Sequence, residues 1–358
     1  MCTSLTYEDY KGDWYLARTM DFGFNLDGRP VVIPRNYHFD SDASANGFDT
    51  KFGFTGAGRN LNGYILVDGV NEKGLSAAAL YFTESVYAEE AKAESVNIAS
   101  HEVLMWLLGN VASIAELRAK FANVNIVAVP NSLLQIVVPL HWIVADKTGK
   151  SCVIEQQADG IKITDNPVGV MANSPEFDWH LKNLNNYVQL NPGLHENKPY
   201  GKFTANGFGA GTGALGLPGD YTSVSRFIRM AFMRQHAEKA QDSSSSINAL
   251  SHILNSVEIP KGVKIQADGD VDYTQYRGYM EMATPTYYMQ PYDDQTITKV
   301  VLTEALLTKK EATEFPLKPT QQFKALCQIL LIDSFTELEA KRLLVLFLYL
   351  VLFSFVEV

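Results

Sequence analysis

The sequence predicts an α+β fold of two antiparallel β-sheets with helices on their outer faces. Strand-like segments fall into two blocks along the chain, and each block leads into paired helical segments. The regular strand–helix–strand alternation that builds a parallel sheet is rare in this pattern. A chain of 358 residues that is 46% apolar can bury the substantial core that a layered fold requires.

The first half of the chain is predicted to run from strands into helices. An opening hairpin is expected, in which residues 14–19 run antiparallel to residues 3–7. Further strands are expected over 30–39, 51–55, 64–67 and 75–82. The last of these consists of small and apolar residues that suit a buried strand. Ser100 can cap a helix that runs to about Leu108, and Ser113 with Glu116 has the spacing of a capping box ahead of a second helix.

The second half returns to strands, passes through helices and ends in strands. Strands are expected over 140–145, 151–155, 161–164, 272–282, 284–294 and 296–302. Helices are expected over 175–187, from Thr222 onwards and near 247–257.

Residues 191–220 are dense in glycine and proline and lack periodicity, which predicts a long loop. Loops of this length inside a compact domain are usually functional or contact other chains. A formal GxGxxG match occurs at Gly211, Gly213 and Gly216, but no apolar strand precedes it and Pro218 follows where a helix should begin. A nucleotide site is therefore not predicted here.

Composition excludes several classes of partner. The net charge of -10 and the pI near 5.2, with no cluster of Lys and Arg, argue against binding to nucleic acid. The 3 cysteines are far apart and the 7 histidines lack the spacing of metal ligands, so no disulfide framework, metal or cofactor is expected. The amino terminus has neither the basic nor the apolar region of a signal peptide, which points to a cytoplasmic protein.

The carboxy-terminal segment is anomalous. Residues 343–356 form a nearly unbroken apolar run, shorter than the ~18 residues of a typical membrane span. Four roles for this segment remain open: a packed helix, an interface element, a membrane-surface anchor or an unconstrained tail. Contact with a membrane is less favoured than the others. We expect a single domain over 2–322 and an atypical hydrophobic extension of unknown role over 323–358.

Cys2 directly follows the initiator methionine, so removal of Met1 would give one residue both a thiol and a free α-amino group. A thiol with a pKa of ~8.5 is only partly ionised at neutral pH, whereas an α-amino group titrates near ~7.7–8.0 and can accept the thiol proton. An amine can act in this way as the base for its own side chain. A cysteine at this position is otherwise typical of a frayed terminus.

Six segments of the chain, taken together, match the motifs of one known protein family. They are MCTSLTY at 1–7, PRNYHF at 34–39, DGVNEKGLSAAALYF at 68–82, PLHWIVADKTGKSCVIE at 139–155, ANSPEFDWHLKNLNNY at 172–187 and GLPGDYTSVSRFIRMAF at 216–232. Together with Arg18 and Asp21, they resemble the choloylglycine hydrolases, which belong to the N-terminal nucleophile hydrolases and include conjugated bile salt hydrolases and penicillin V acylases. The resemblance runs from residue 2 to about residue 320.

The resemblance implies a four-layer αββα sandwich and hydrolysis of a linear amide bond after the initiator methionine is removed. Cys2 matches the family's nucleophile, and Asp21 matches the residue that holds the α-amino group, with Arg18 beside it. Asn173 matches the oxyanion-hole asparagine, and Arg226 matches a buried arginine close to the thiol. Preoriented donors and nearby positive charge are what a thiolate attack on an amide requires.

Each matched residue also has a simpler interpretation when it is taken singly. Arg18 and Arg226 suit surface ion pairs, Asp21 suits a turn, and Asn173 suits a cap for the helix near residue 175. Their joint occurrence in the family's order favours the catalytic interpretation.

Tyr81 bears on the substrate. Bile salt hydrolases typically carry Asn at this position and penicillin V acylases typically carry Tyr, and the backbone N–H of Tyr81 is a candidate second oxyanion donor. The apolar residues expected to line the acyl pocket, and equally suited to the core, are Met20, Phe22, Phe24, Leu61, Leu133 and Leu134. An apolar pocket suits phenoxyacetyl, fatty acyl and steroid groups alike.

The sequence therefore favours a cysteine amidohydrolase that acts on a small acyl amide with a penicillin V acylase-like preference. The alternatives are a conjugated bile salt hydrolase that releases glycine or taurine, an N-acyl-homoserine lactone acylase, and an inactive homologue that binds acyl amides without turnover. The family resemblance also implies a homotetramer, with the loop over 191–220 as a candidate contact.

Overall fold

The computed structural model describes residues 1–132, 135–267, 269–318, 320–325, 339 and 341–345. The chain divides into two compact units, Met1–Pro319 and Thr320–Val358. In the second unit, the described part of the apolar run, 343–345, is exposed, and 346–356 lie outside the described residues. Among the helices that are described, none has both the length and the apolar character needed to cross a bilayer.

The described strands, in chain order, are β1 Cys2–Glu8, β2 Trp14–Phe22, β3 Arg29–Ile33, β4 His38–Phe39, β5 Phe48–Asp49, β6 Phe54–Asn60, β7 Tyr64–Leu66, β8 Asp68–Asn71, β9 Leu75–Tyr81, β10 Val96–Ala99, β11 Val124–Val127, β12 Leu140–Asp146, β13 Ser151–Gln157, β14 Gly160–Asp165, β15 Val170–Met171, β16 Lys198–Tyr200, β17 Phe203–Ala205, β18 Tyr273–Glu281, β19 Thr286–Pro291, β20 Thr298–Val301 and β21 Thr313–Glu314. The described α-helices are α1 Val103–Asn110, α2 Ile114–Phe121, α3 Phe177–Asn183, α4 Ser223–His236, α5 Ser243–Asn255 and α6 Glu304–Leu307. Turns of 3₁₀ helix lie at Ser100–Glu102, Leu184–Tyr187 and Thr212–Ala214.

Two antiparallel sheets dominate the first unit, as the sequence predicts. One has the strand order β15-β1-β2-β18-β19-β20, and the other has the order β14-β13-β12-β9-β8-β6-β3-β21, with β7 beside β6. The sheets face each other, since β1 contacts β9 and β18 contacts β8. Helices α4 and α5 pack on the first sheet, and α1 and α2 pack on the second. The α+β, four-layer αββα arrangement is therefore confirmed.

The amino-terminal hairpin is confirmed and fixes the surroundings of the chain terminus. Strands β1 and β2 pair antiparallel, with Cys2 opposite Met20 and Ser4 opposite Arg18. Directly opposed residues of an antiparallel pair place their side chains on the same face of the sheet. Because alternate residues of a strand share a face, Cys2, Met20 and Arg18 all point into the space between the two sheets.

Three local predictions were wrong in detail. The strand expected over 30–39 is broken, because Pro34 lacks a backbone N–H and Asn36 adopts a φ of 58°. Ser100 is not a cap: Ala99 precedes the 3₁₀ turn Ser100–Glu102 and donates its backbone N–H to the Glu102 carboxylate at 2.9 Å, and the N-cap residue of α1 is Glu102. The segment over 191–220 is not entirely loop, since it contains the β16–β17 hairpin and a 3₁₀ turn. The cap at Ser113 is confirmed, since its side chain accepts from the N–H of Glu116.

Candidate active site

The Cys2 side chain is buried beneath the guanidinium of Arg18. An Nη2 atom of Arg18 lies 2.6 Å from the Cys2 sulfur and 2.9 Å from the sulfur of Met20. The Cys2 residue is 3% exposed and Arg18 is fully buried, so the terminus is not frayed and Arg18 is not a surface residue. Arg18 therefore places a positive charge directly against the Cys2 sulfur in a site shut off from solvent.

Buried acidic and phenolic groups surround the other edge of Arg18. Its Nη1 lies 3.2 Å from Oδ2 of Asp68, and the same oxygen accepts a hydrogen bond from the Tyr276 hydroxyl at 2.6 Å. Burial lowers the pKa of Arg18, but the neighbouring Cys2, Tyr276 and Asp68 raise it by more, so its pKa lies above the ordinary arginine value. Arg18 therefore stays charged beside the sulfur.

Asp21 lies in β2 and is fully buried, which rules out the interpretation that it is a turn residue. Its carboxylate accepts hydrogen bonds from the hydroxyls of Thr19 at 3.0 Å and Thr274 at 2.7 Å. The α-amino group of Met1 donates to the main-chain carbonyl of Asp21, and burial lowers the pKa of that amine. In the chain that still carries Met1, the backbone of Asp21 rather than its carboxylate holds the terminal amine.

Asn173 contacts the backbone of Cys2. Its Oδ1 accepts from the N–H of Cys2 at 2.6 Å and from Arg226 at 2.8 Å, while its Nδ2 donates to the carbonyl of Tyr81 at 2.8 Å. The residue at the N-cap of α3 is Glu176, so the interpretation of Asn173 as a helix cap is wrong. One N–H of the Asn173 amide group is used by Tyr81, and the second is available to a bound substrate.

Arg226 extends from α4 to the backbone rather than the sulfur of Cys2. Its Nη1 donates to the Cys2 carbonyl at 2.7 Å and also contacts the Thr3 hydroxyl, and it lies 3.8 Å from the Asp21 carboxylate. The side chain is fully buried, so it is not a surface ion-pair partner. Burial lowers the pKa of Arg226, and the charges of Asp21 and Cys2 oppose that change.

The backbone of Tyr81 faces the same region as Asn173. Phe82 donates its N–H to the carbonyl of Pro139 at 2.9 Å, in the direction of β12. Successive N–H groups of a strand point to opposite sides, so the N–H and carbonyl of Tyr81 both point away from β12. The carbonyl accepts from Asn173 on that side, which leaves the Tyr81 N–H directed toward the site.

Two residues that the sequence argument missed hold the backbone of Asn173 in place. Its carbonyl accepts hydrogen bonds from the Ser223 hydroxyl and from Nε2 of His180, each at 2.8 Å. The His180 ring stacks on Phe227 with centroids 4.6 Å apart, and burial lowers the pKa of His180 to about 4. Both residues fall within segments of the family-like pattern, but nothing in their spacing reveals that they meet.

An apolar cavity of about 350 Å³ opens beside Cys2. The predicted pocket residues that line it are Met20, Phe22, Phe24 and Leu61, together with Cys2 and Tyr81. The other two, Leu133 and Leu134, lie outside the described residues. A second cavity of about 430 Å³ shares Phe22, Phe24 and Tyr81 with the first, and Met1, Asn173 and Asp272 are among its other lining residues. Cys2 thus lies in the wall of the apolar cavity, and Phe22, Phe24 and Tyr81 separate that cavity from a more polar one.

One group of metal-ligand side chains occurs in the described part of the chain, at Asp42, His101 and Glu102. His101 Nε2 lies 2.9 Å from the Asp42 carboxylate. The Glu102 carboxylate already accepts from the Ser41 hydroxyl at 2.7 Å and from two backbone N–H groups, those of Asp42 and Ala99. These contacts explain the cluster as a structural one, which fixes the segment after β4 to the chain around residue 100.

Comparison with known proteins agrees with this geometry. The sequence model of the linear amide C–N hydrolases, choloylglycine hydrolase family, matches residues 2–315. A bile salt hydrolase/transferase of Lactiplantibacillus plantarum is 36% identical over 326 residues, which cover 91% of this chain and 99% of that protein. A penicillin V acylase of Pectobacterium atrosepticum is 24% identical over 317 residues, which cover 81% of this chain and 77% of that protein.

A solved structure extends the agreement to the fold. The crystal structure of the C2A mutant of the conjugated bile acid hydrolase from Clostridium perfringens superposes with a TM-score of 0.84 at 33% identity and covers 91% of this chain and 100% of that chain. The family match, the fold and the buried amino-terminal cysteine identify an amidohydrolase of the N-terminal nucleophile class. This chain therefore belongs to the choloylglycine hydrolase family of linear amide C–N hydrolases.

Proposed function

We propose that this chain hydrolyses the amide bond of conjugated bile salts and releases glycine or taurine. The observation that carries the proposal is the apolar cavity of about 350 Å³ that has Cys2 in its wall, since a bulky apolar acyl group needs such a space next to the nucleophile. The relatives at 36% and 33% identity are named for bile salts or bile acids, and the penicillin V acylase is 24% identical. This reverses the substrate order that the sequence favoured.

The proposed reaction begins after Met1 is removed, when the nitrogen of Cys2 becomes a free amine. The amine accepts the thiol proton, and the sulfur, stabilised by Arg18, attacks the amide carbonyl carbon. The N–H groups of Asn173 and Tyr81 then stabilise the oxyanion. The C–N bond breaks, the leaving amine takes a proton from the Cys2 amine, and a thioester remains. Water attacks the thioester, releases the acid and restores the thiol.

Met1 adds a specific expectation about processing. It lines the polar cavity that adjoins the nucleophile, and the nitrogen of Cys2 is a peptide nitrogen while Met1 is present. A peptide nitrogen cannot accept the thiol proton, so the unprocessed chain should be inactive. A reducing compartment such as the cytoplasm would keep the thiol free, and we place the enzyme there.

Penicillin V is the second candidate substrate, because Tyr81 is the residue typical of penicillin V acylases at that position. Its ring meets Phe22 edge to face, with centroids 6.5 Å apart, at the junction of the two cavities. A ring here narrows the entrance to the acyl pocket, which suits a flat phenoxy group. A Tyr81→Asn variant should then raise the ratio of bile salt to penicillin V turnover.

We also propose that the chain forms a homo-oligomer through the segment around the β16–β17 hairpin. Large apolar side chains are exposed there, namely Tyr200, Phe203, Phe208 and Leu215. Exposed apolar groups in one segment are typical of a surface that another chain covers. Light scattering on a Phe203→Ser/Phe208→Ser variant should show a smaller assembly than the parent, and an unchanged mass would argue against this surface.

A substrate panel tests the proposed function. Purified protein with its amino terminus established by intact mass is assayed with glycocholate, taurocholate, penicillin V and a long-chain acyl homoserine lactone. The proposal expects the highest kcat/KM for a bile salt and no turnover by a Cys2→Ala variant that keeps the fold. A dominant penicillin V or lactone rate would overturn the substrate, and turnover by Cys2→Ala would overturn the nucleophile. An inactive processed chain would instead support the binding homologue.

A further inference from the structure

A buried network connects the two sheets directly behind the nucleophile. Asp68 is the first residue of β8 in one sheet, whereas Arg18 in β2 and Tyr276 in β18 belong to the other. All three side chains are shut off from solvent, since Asp68 and Arg18 are fully buried and Tyr276 is 2% exposed. Interactions between charges in such a place are weakly screened.

The Asp68 carboxylate accepts hydrogen bonds from a backbone N–H, a phenol and a guanidinium. Its Oδ1 accepts from the backbone N–H of Ala57 at 3.1 Å, which orients the carboxylate. Its Oδ2 accepts from the Tyr276 hydroxyl at 2.6 Å and from Arg18 at 3.2 Å. Burial and the neighbouring Asp68 raise the pKa of Tyr276 well above its ordinary value, so the hydroxyl keeps its proton and remains the donor. One oxygen is therefore shared between a phenol and a guanidinium.

Arg18 is in turn shared between the Asp68 carboxylate and the Cys2 sulfur, while its other contacts, to the Thr19 and Val67 carbonyls and the Met20 sulfur, are to neutral acceptors. Its Nη1 faces the Asp68 carboxylate at 3.2 Å, and its Nη2 faces the Cys2 sulfur at 2.6 Å. The more of the positive charge the carboxylate neutralises, the less is left to stabilise a thiolate. The hydrogen bond from Tyr276 to Asp68 is shorter than the one from Arg18, so it draws negative charge of the Asp68 carboxylate away from Arg18.

The packing leaves space for this arrangement. Gly278 lies opposite Arg18 in the β2–β18 pairing. A Cβ atom at Gly278 would lie 2.8 Å from the hydroxyl of Tyr287 and 3.5 Å from Oδ2 of Asp68. The first distance is shorter than a real Cβ contact, so a side chain at this position would displace the groups around the carboxylate.

We propose that Asp68 and Tyr276 are positioning residues that set how strongly Arg18 stabilises the Cys2 thiolate. The proposal rests on the proposed role of Cys2 as the nucleophile. Removing the Asp68 charge leaves the thiolate as the charged partner of Arg18 and stabilises the thiolate. Removing the Tyr276 hydroxyl strengthens the interaction of Asp68 with Arg18 and destabilises the thiolate. The two changes act on one group in opposite directions.

The other titratable or charged groups near the sulfur and its guanidinium partner are Asp21 on β2, Tyr287 on β19, Arg226 on α4, and Asp272 before β18. All of them remain in both variants, together with the Cys2 amine. A difference between the variants therefore reports on the shared carboxylate.

The experiment is the pH dependence of Cys2 alkylation by iodoacetamide in the processed full-length chain. The modified fraction of the amino-terminal peptide is followed by mass spectrometry, which separates Cys2 from the other cysteines. Asp68→Asn should move the alkylation midpoint about one pH unit lower, and Tyr276→Phe should move it about half a unit higher. Tyr279→Phe is the control, because it removes a buried hydroxyl that bonds Ser251 rather than Asp68, and the midpoint should not move.

Opposite shifts support the proposal, and shifts in the same direction, or no shift, overturn it. If Asp68→Asn does not fold, Tyr276→Phe decides alone, and an unmoved or lowered midpoint overturns the proposal. Alkylation needs no substrate turnover. If no bile salt is hydrolysed but the two variants shift the alkylation midpoint in opposite directions, the proposed function is overturned and the proposal about Asp68 and Tyr276 stands.

Discussion

The guanidinium of Arg18 lies 2.6 Å from the sulfur of Cys2, and both groups are buried between the two sheets. Their strand partners explain why. Cys2 is opposite Met20, and Arg18 is two residues before Met20 on the same face of β2. The hairpin that starts the chain therefore brings the terminal thiol and a permanent positive charge together.

Replacing Arg18 by lysine should reduce kcat/KM by about 10²-fold, although the charge is kept. A guanidinium is a planar fork that contacts the sulfur of Cys2 and the carboxylate of Asp68 at once, and an ammonium group cannot do this. The loss of one preorganised contact should lower the rate by roughly as much as the loss of one oxyanion donor. Steady-state kinetics on a bile salt measures the loss.

The matched control for that change is Arg35→Lys. Arg35 also makes a two-point contact, with the Glu72 carboxylate at 2.7 Å to each oxygen, but this pair is partly exposed and neither residue lines the cavities near Cys2. The kcat/KM of the Arg35→Lys variant should equal that of the parent. Equal losses in the two variants would show that the Arg18 effect is a general consequence of disturbing a two-point ion pair.

A peptide extension ahead of Cys2 should abolish turnover until a protease removes it. The extended chain has a peptide nitrogen at Cys2, and that nitrogen donates its hydrogen to Asn173 at 2.6 Å. Cleavage that exposes Cys2 should restore activity in proportion to the fraction of processed chains counted by intact mass. The same extension on a Cys2→Ala chain is the control and should stay inactive after cleavage. Full activity before cleavage would contradict the role of the free amine.

Asn173→Ala should lower kcat by about 10²–10³-fold, the usual loss for one oxyanion donor. The change also removes the acceptor of the Cys2 N–H and of Arg226, so the position of the nucleophile should change as well. Asn185→Ala is the matched control, because Asn185 is exposed and its amide donates to the nearby Lys182 carbonyl rather than to a group of the site. A kcat for Asn173→Ala within twofold of the parent would be incompatible with its proposed role.

His180 should make the folded state less stable as the pH falls below about 6.5. The folded chain keeps the ring neutral down to a pKa of about 4, whereas the unfolded chain takes up a proton near ~6.5. Below that value the unfolded state binds more protons, so the free energy of unfolding drops by about 1.4 kcal/mol per pH unit and about 3 kcal/mol across the window. Above pH 6.5 the His180 ring is neutral in both the folded and the unfolded chain, so it no longer makes the free energy of unfolding depend on pH.

Urea unfolding at several pH values between 7 and 4 checks this expectation. His180→Gln keeps a donor for the Asn173 carbonyl and does not titrate, so its stability should depend less steeply on pH than that of the parent. His252→Gln changes an exposed histidine of α5 and serves as the control, with the parental slope. If the stability of His180→Gln depends on pH as steeply as that of the parent, another group is responsible for the loss of stability in acid.

Local sequence patterns were enough to predict the class of fold. Alternation along the strands and the Ser113 cap depend on neighbours within a few residues, and both follow from short-range physical preferences. The errors fell where local signals conflict. The strand that was expected over 30–39 breaks at Pro34 and Asn36, and the β16–β17 hairpin forms inside a segment rich in glycine and proline.

For the site, the sequence by itself determined which residue types were available. A cysteine at position 2, an arginine and an aspartate in the following strand, and the family-like segments were sufficient to select Cys2, Arg18, Asp21, Asn173 and Arg226 before any distance was known. The order of the motifs and their resemblance to the choloylglycine hydrolases carry this information, and nucleophilic attack on an amide requires these chemical groups.

Only the tertiary structure decided how these groups contact one another. Asp68 shares Arg18 with the thiol across 50 residues of sequence, and His180 supports the backbone of Asn173. Neither relationship leaves a periodic signal, because the first joins strands of two different sheets and the second joins the segment after β15 to helix α3. Differences of a few tenths of an ångström in the contacts of Arg18 affect the charge felt by the Cys2 sulfur, and no local pattern encodes them.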